Sequence, residues 1–541
     1  MVRRAFYLCS AAALVATGLI TLVWPAALWA LVVIGPVIGV GVHDVVQRRH
    51  TLLRNYPVIG HGRYLLEAFR PEIQQYFVES NLDGRPFDRE QRSLVYQRAK
   101  GALQTIPFGT QRDVYEPGHE WLIHSLAPRV APQVDPRVPI GGPQCAAPYH
   151  AAHLNVSAMS YGALSKYAIR ALNTGARDGG FYHNTGEGGL SPYHLEPGGD
   201  VCWQIGTGYF GCRTPDGRFD PTLFAAHAAT PAVKMIELKL SQGAKPSHGG
   251  ILPAAKVTPE IARIRGVPLG ADVVSPPAHS AFDGPTGLLE FLASLRQLSG
   301  GKPVGFKLCV GDRAELLAIA RAMVATGITP DFITVDGSEG GTGAAPVEFS
   351  NSVGTPLREG LLAVHNTLVG IGVRDAVRVI ASGKIVSGFD VVRAIALGAD
   401  LCNSARGMMF SLGCIQARRC HENTCPVGIA TTDELLGSML DVATKAARVA
   451  SYQRATVHAF LELVGAAGLS APSQIQPHHL WRRVAGNEIR HYGELYDYLP
   501  EGALLGSQVP RGWRDDWVRA RADRFVTEAP GRARRLSLAA V

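Results

Sequence analysis

The run VGFKLCVGDRAELLAIARAMVATGITPDFITVDGSEGGTG, Val304–Gly343, carries the repeating unit of this chain. Val304–Cys309 and Phe332–Val335 are short apolar runs of strand length. Ala314–Thr326 between them is rich in alanine and leucine, as a helix prefers. Strand, helix and strand in that order form a unit that sets the two strands parallel. The alternation continues on both sides. Further strands are expected at His153–Met159, Gly180–Asn184, Val201–Ile205, Val233–Lys239, Arg378–Ala381 and Asp400–Asn403. Helices are expected at Ala163–Ala176, Thr258–Arg265, Leu288–Leu298, Pro356–Gly370 and Gly388–Leu397. Eight strands, mostly parallel, over about 260 residues match a (β/α)8 TIM barrel in number and length. An open doubly wound sheet is the rival. No G-x-G-x-x-G follows the first strand, which counts against a dinucleotide-binding version of it.

In such a barrel the chemistry lies where the strands end. The unusual residues fall there: Ser160 after strand one, Glu187 after two, Gln242 and Lys245 after four. Lys307 lies inside strand five, Asp336 ends six, Gly383 follows seven, and Arg406-Gly407 follows eight. A lysine within a buried strand needs an anionic partner. A reduced flavin, negative near N1, would be one, and a neighbouring carboxylate is the competing partner. The loops with Gly383-Lys384 and Arg406-Gly407 follow strands seven and eight, a common place for phosphate. Gln242-Gly-Ala-Lys-Pro-Ser-His-Gly-Gly250 puts an amide, an amine and an imidazole on one loop, which suits an anionic substrate such as a dicarboxylate. The glycine runs Asn184–Gly189 and Asp336–Gly343, the latter with Gly340 and Gly341, are too polar for a core. They read as covers for a flat ring or a substrate, or as plain loops.

Cys414-x5-Cys420-x4-Cys425-Pro426 sets three thiols within twelve residues. Close thiolates of this kind suit metal ligation in a reducing compartment. The C-x2-C spacing of a zinc ribbon is absent. A [3Fe–4S] centre is one reading, and a [4Fe–4S] centre with a fourth ligand such as His421 is another.

Composition sets the limits. Sixty glycines and thirty-five prolines in 541 residues, with 46% hydrophobic and 18% charged, describe a globular chain. Twelve of the glycines cluster between Gly175 and Gly217. The net charge of +8 is concentrated at one end: Arg511–Val541 holds eight arginines against four acids. No basic stripe interleaved with aromatics appears, so nucleic acid is not expected as a partner, whereas a cationic tail near a membrane fits. From Ala5 to Val42 a run of 38 residues carries no charge. One helix of that length would be about 57 Å long, against a hydrocarbon core of about 30 Å. Two spans, Phe6–Val23 and Ala26–Val42, folded at Trp24-Pro25, fit better. Arg3 and Arg4 before them and Arg48 and Arg49 after them place both ends in the cytoplasm. A cleaved twin-arginine signal is the rival reading. The expected organisation is a transmembrane hairpin over 1–50 and a helical arm over 51–137. A barrel over 138–433 and a helical extension with a basic tail over 434–541 complete it.

With these motifs in hand, the chain resembles the FMN-binding synthase domain of glutamate synthase. The resemblance rests on Ala158-Met-Ser-Tyr-Gly-Ala-Leu-Ser165, Asn184–Gly189, Gln242–Pro246, Gly340–Ala344 and Cys414–Thr431, in the family's order. It extends over Val138–Asp433, about 55% of the chain. It implies FMN and a [3Fe–4S] cluster, and the reduction of 2-iminoglutarate to glutamate. Cys414, Cys420 and Cys425 would hold the cluster. Ala158, Met159 and Ser160 would back the flavin ring, and Lys307 would face its N1–O2 edge. Gly340 and Gly341 would line it, and Gly383, Lys384, Arg406 and Gly407 would hold its phosphate. Gln242 and Lys245 would grip 2-oxoglutarate, with Glu187 near the ammonia.

Two acidic positions of the family's pattern are replaced here, by Leu190 and by His248, close to the proposed substrate. No glutaminase-like segment precedes the barrel, so ammonia or another amine is expected from outside. Electrons are expected from a ferredoxin or a reductase subunit. The expected function is reductive amination of a 2-oxo acid at the inner membrane, with the barrel facing the cytoplasm. The alternatives are an amino- or hydroxy-acid dehydrogenase feeding the membrane pool, and a non-catalytic electron carrier tethered to lipid.

Overall fold

The computed structural model describes residues 2–525, so the basic tail from residue 526 onward lies outside the described residues. The chain divides into two compact units, Met1–Arg89 and Glu90–Val541.

In the larger unit eight strands close on themselves. They are β1 (Leu154–Val156), β2 (His183–Asn184), β3 (Val201–Ile205), β4 (Val233–Lys239), β5 (Val304–Leu308), β6 (Phe332–Asp336), β7 (Arg378–Ser382) and β8 (Leu401–Ser404). They pair in chain order, and β8 returns to β1. Every pairing is parallel, and Lys307 of β5 stands opposite Lys239 of β4 and Thr334 of β6. The expected (β/α)8 barrel is therefore the observed core. Its helices include Lys166–Gly179, Gly284–Leu298, Arg313–Thr326, Leu357–Gly370 and Gly388–Ala396. Ser165, Asp312 and Ser387 accept backbone N–H groups at three of their first turns, which fixes where each helix starts after its strand. The helix Pro221–Ala228, capped by Asp220, was not expected, because eight residues hold too few apolar positions to show a period.

The inside of the barrel changes character along its axis. Ile140, Ala151, Tyr182, Cys202, Met235, Phe332, Ile380 and Leu401 form a buried cluster near the strand starts. The antiparallel pair Val138–Ile140 and Tyr149–Ala151 closes that end. Polar side chains occupy the strand ends instead, and the site is built there.

One expectation about local structure is corrected. The extension after the barrel is not only helix and turn. Leu480–Ala485 and Glu488–His491 form a hairpin, joined by Glu120–Leu122 into a three-stranded sheet. Its Gly486-Asn487 corner is a two-residue turn of the kind that joins antiparallel strands. Pro71 lies inside the helix Gly60–Ile73 of the smaller unit. It lacks the N–H that the helix ladder needs, and one wider turn, Gln74–Val78, follows it.

In the smaller unit Val2–Thr21 and Leu31–Val46 are helices separated by the short turn Pro25–Ala30. By length and composition, Val2–Thr21 and Pro25–Val46 are each apolar enough to cross a membrane. They meet where Gly41 leaves room for a ring: a Cβ there would lie 2.2 Å from Cε2 of Phe6.

Candidate functional site

The C-terminal mouth of the barrel holds buried charge in contact. Lys239, the last residue of β4, donates from Nζ to Glu187 Oε1 at 2.6 Å. Lys307 Nζ lies 3.4 Å from Asp336 Oδ2. Beneath them Glu237, only 1% exposed, accepts from Asn184 Nδ2 at 2.8 Å, Gln204 Nε2 at 2.6 Å and Thr334 Oγ1 at 2.6 Å. These groups come from five neighbouring strands, β2 to β6, and the loop behind β2, so closure of the barrel brings them together.

Electrostatics follow from that layout. Burial pushes the Glu187 carboxyl up, but Lys239, Arg265 and Lys245 outweigh it, and Glu187 lies below the ordinary carboxylate range. Burial pulls Lys245 down to about 8; Glu187 opposes this and Lys239 adds to it. Burial also opposes the charge on Lys307, yet Asp336, Glu237 and Glu187 together hold it above the usual lysine value. Lys307 thus finds its anionic partner in Asp336, the competing reading of the sequence.

The Gln242–Gly250 loop crosses close over strand six. Gly243 N donates to Asp336 Oδ2 at 3.0 Å. A Cβ on Gly243 would lie 1.7 Å from the carbonyl oxygen of Gly337, so only glycine fits there. Next to it, Gln242 Nε2 is buried without a protein partner. Such an amide donor has capacity left for a ligand. Between Glu187, Lys239, Ser241, His248 and Gly250 a space of about 10 Å³ remains, enough for about one water-sized molecule.

The residues expected to hold a cofactor follow the strand ends as well. Met159 N donates to Asn184 O at 3.3 Å. A Cβ on Gly186 would lie 2.9 Å from Ser160 N, so the glycine loop after β2 lies against Ala158–Met159–Ser160. Gly340 N donates to Gly337 O at 2.8 Å. The Arg406 guanidinium covers Gly341 and donates to Thr342 O at 3.3 Å. Gly383 packs against Leu357 and Gly337, and Lys384 takes a positive φ of 50° in the same turn. Ser157 Oγ and Ser382 Oγ are 3.3 Å apart, tying β1 to β7. Ser404 Oγ donates to Ile385 O at 2.6 Å, and Gly407 packs on Ser404 and Tyr452. The two sets of residues meet: a Cβ on Gly340 would lie 3.5 Å from Asp336 Oδ1, and one on Gly188, next to Glu187, 2.7 Å from Cβ of Ser160.

The cysteine segment is corrected. Among the described residues no group of three or more His, Cys, Asp or Glu side chains is gathered to hold a metal ion. Cys414, Cys420 and Cys425 are free thiols. Burial pushes the Cys414 thiol up to about 11, with Cys420 and Cys425 adding to it. The segment is shaped by other bonds. Asn423 Oδ1 accepts from Thr432 N at 2.7 Å, Ser165 Oγ donates to Gly428 O at 2.7 Å, and Tyr96 OH donates to Cys414 O at 2.6 Å. The iron–sulfur centre inferred from the spacing, in either nuclearity, is withdrawn.

Four residues at the mouth went unrecognised in the sequence: Lys239, Glu237, Arg265 and His279. The argument applied to Lys307, a charge inside an apolar strand, applies equally to Glu237 and Lys239 and would have found both. Arg265 donates from Nη2 to Tyr161 O at 3.0 Å and lies over the Phe210 ring. His279 Nε2 lies 2.9 Å from Lys239 O, which as a carbonyl can only accept, so the proton is placed on Nε2. Burial holds His279 down at about 4, so it is neutral near pH 7. No local pattern points to either from a distance in sequence.

A closed parallel barrel with paired buried charges at its C-terminal mouth is the architecture of an enzyme of TIM-barrel class. The conserved region of glutamate synthase matches residues 144–470. The chain is 37% identical to the glutamate synthase large subunit-like protein YerD of Bacillus subtilis over 499 residues, 85% of this chain and 95% of that protein. It is 37% identical to the archaeal glutamate synthase [NADPH] of Methanocaldococcus jannaschii over 318 residues, 58% of this chain. The aligned part spans about three-fifths of that relative, 59% of its length. Among solved structures, a mandelate oxidase variant with benzaldehyde aligns at 17% identity and a TM-score of 0.39, over 79% of this chain and 98% of that one. The chain belongs to the glutamate synthase family, and its coarse class is oxidoreductase.

Proposed function

We propose that this protein is an FMN-dependent oxidoreductase that reductively aminates a 2-oxo acid, most simply 2-oxoglutarate, with ammonia supplied from outside. The observation that carries the reading is the charge balance at the mouth. Lys239, Lys245, Lys307 and Arg265 stand there against the carboxylates of Glu187, Glu237 and Asp336, one cation in excess. That excess of cations suits a substrate carrying carboxylates.

The residues present fit a flavin. The glycine-backed backbone of Ala158–Ser160 offers a flat wall. Arg406 over Gly341 offers charge for a phosphate. When bound, FMN supplies hydride chemistry. The other steps belong to side chains. Gln242 and Lys245 bind the oxo acid and orient its 2-carbon. Ammonia, held in the small space beside Glu187, adds to that carbon and water leaves, giving a 2-imino acid. Glu187, kept ionised by Lys239, accepts a proton from the adding ammonia. Reduction of the imine by two electrons and two protons then yields the amino acid. The electrons come from a ferredoxin or a reductase subunit, with no metal centre assigned within this chain. Lys307, tied to Asp336, stays protonated and holds positive charge at the ring's edge.

The two apolar helices support attachment to the inner membrane, with the flanking arginines and the barrel on the cytoplasmic side. The test is glutamate formation from 2-oxoglutarate and ammonium with reduced viologen, alongside a flavin assay of the purified protein. Stoichiometric flavin with glutamate formation is expected. Protein without flavin overturns the reading, as does amino-acid-dependent quinone reduction without glutamate synthesis.

A further inference from the structure

The smaller unit leaves one amphipathic helix uncovered. In Gly60–Ile73, Leu65, Leu66, Phe69 and Ile73 fall within about 100° of the helix circumference at 100° per residue. They are 58%, 66%, 55% and 43% exposed. The next turn adds Tyr76, Phe77 and Val78 at 53%, 84% and 63%. Along one edge of this stripe Arg63 and Arg70 flank Glu67 at 3.9 and 3.8 Å.

The helix is tied to the end of the second apolar segment. Asp44, fully buried, accepts from Val58 N at 2.9 Å, and His61 Nε2 lies 2.8 Å from its Oδ1. Arg54 Nε donates to Val45 O at 3.3 Å. The corner is thus held by hydrogen bonds, and the uncovered stripe starts within twenty residues of Val46. Between Gln47 and Gln75 five arginines stand against two glutamates. Cationic side chains beside an apolar stripe match an anionic lipid surface better than a protein groove.

We propose that helix Gly60–Ile73 lies on the membrane surface, with Leu65, Leu66, Phe69 and Ile73 immersed at the headgroup boundary as a second anchor beside the hairpin. The proposal rests on the membrane reading of Val2–Val46. The arginines on its polar side extend to headgroups while their stems cover apolar surface.

Lipid photo-crosslinking tests it. The full chain is reconstituted in nanodiscs of phosphatidylethanolamine and phosphatidylglycerol with a diazirine on one acyl chain, and adducts are mapped by mass spectrometry. Adducts on both 2–46 and 60–78 are expected. Leu66→Glu with Phe69→Glu should lower the yield on 60–78 at least fivefold while leaving that on 2–46 unchanged. Adducts on 2–46 alone overturn the proposal but keep the hairpin. Adducts on neither overturn both. Protein cross-links from 60–78 to the barrel or to a second copy, in place of lipid, also overturn it.

Discussion

The two ends of the barrel both carry buried ion pairs, and they use them differently. At the N-terminal end Arg296 Nε donates to Asp331 Oδ2 at 2.9 Å and Nη2 donates to Thr329 O at 2.7 Å. Asp331 also accepts from Gly142 N and Val304 N, both at 2.8 Å. Arg374 is divided among Asp400, Val377 O and Gly398 O. These forks pin strand starts and loops to one another, and their bonds go to the protein itself. At the C-terminal end Lys239 and Lys307 each make one carboxylate contact and Arg265 donates to a single carbonyl, beside an amide with no protein partner. Free capacity, more than buried charge as such, separates the working end from the structural one. Size would have misled: a cleft of about 1010 Å³ lies at the N-terminal end, lined by Arg137, Arg374, Arg378 and His478 among others. Those three arginines donate to protein acceptors.

Removing one fork gives the largest expected effect. Arg296→Ala leaves Asp331, only 1% exposed, without its countercharge. The expected loss is about 3–5 kcal/mol of stability, read as a large drop in the urea midpoint. Turnover per folded molecule should stay at the wild-type value. Lost turnover in protein that remains folded would break the comparison.

The opposite result is expected at Lys239. Lys239→Met deprives Glu187 of its 2.6 Å contact. Arg265 and Lys245 remain, and Glu187 can take up a proton, so stability should fall by only about 1–2 kcal/mol. The carboxyl then moves up in pKa, because burial is less strongly opposed. A fall in kcat/KM on the order of 100-fold at pH 7, about 2.7 kcal/mol, should partly recover as pH is raised and Glu187 ionises again. A pH-independent loss would assign Lys239 a purely structural role.

The same division explains what the sequence disclosed. The eight strands were legible because each is a short apolar run between helices with clear caps. Lys307, Gln242 and Glu187 were legible because such groups are out of place at strand ends. The partners Arg265 and His279 were not, since they reach the mouth from segments with no pattern of their own. The cysteine segment shows the converse failure. Three thiols close in sequence need not form a metal-holding group: the chain between them has positive φ at Gln416, Arg418 and Asn423 and is shaped by its own hydrogen bonds.

The smallest expected effect is the most specific to the working end. Lys245 is buried, and burial lowers its pKa to about 8, where an exposed lysine stays charged to far higher pH. The folded value lies below the unfolded one, so charging Lys245 weakens the fold, and only an anion bound beside it offsets that. Between pH 7 and 9 the protonated fraction of a group with pKa about 8 falls about tenfold, or about 1.4 kcal/mol in anion binding. KM for 2-oxoglutarate should therefore rise about tenfold over that interval, with kcat much less affected. In Lys245→Arg the guanidinium keeps its charge, so KM should stay flat over the same interval even if its absolute value differs. A wild-type KM that does not change with pH would place Lys245 outside the substrate's reach, and would move the anion-binding role to Lys239 and Arg265.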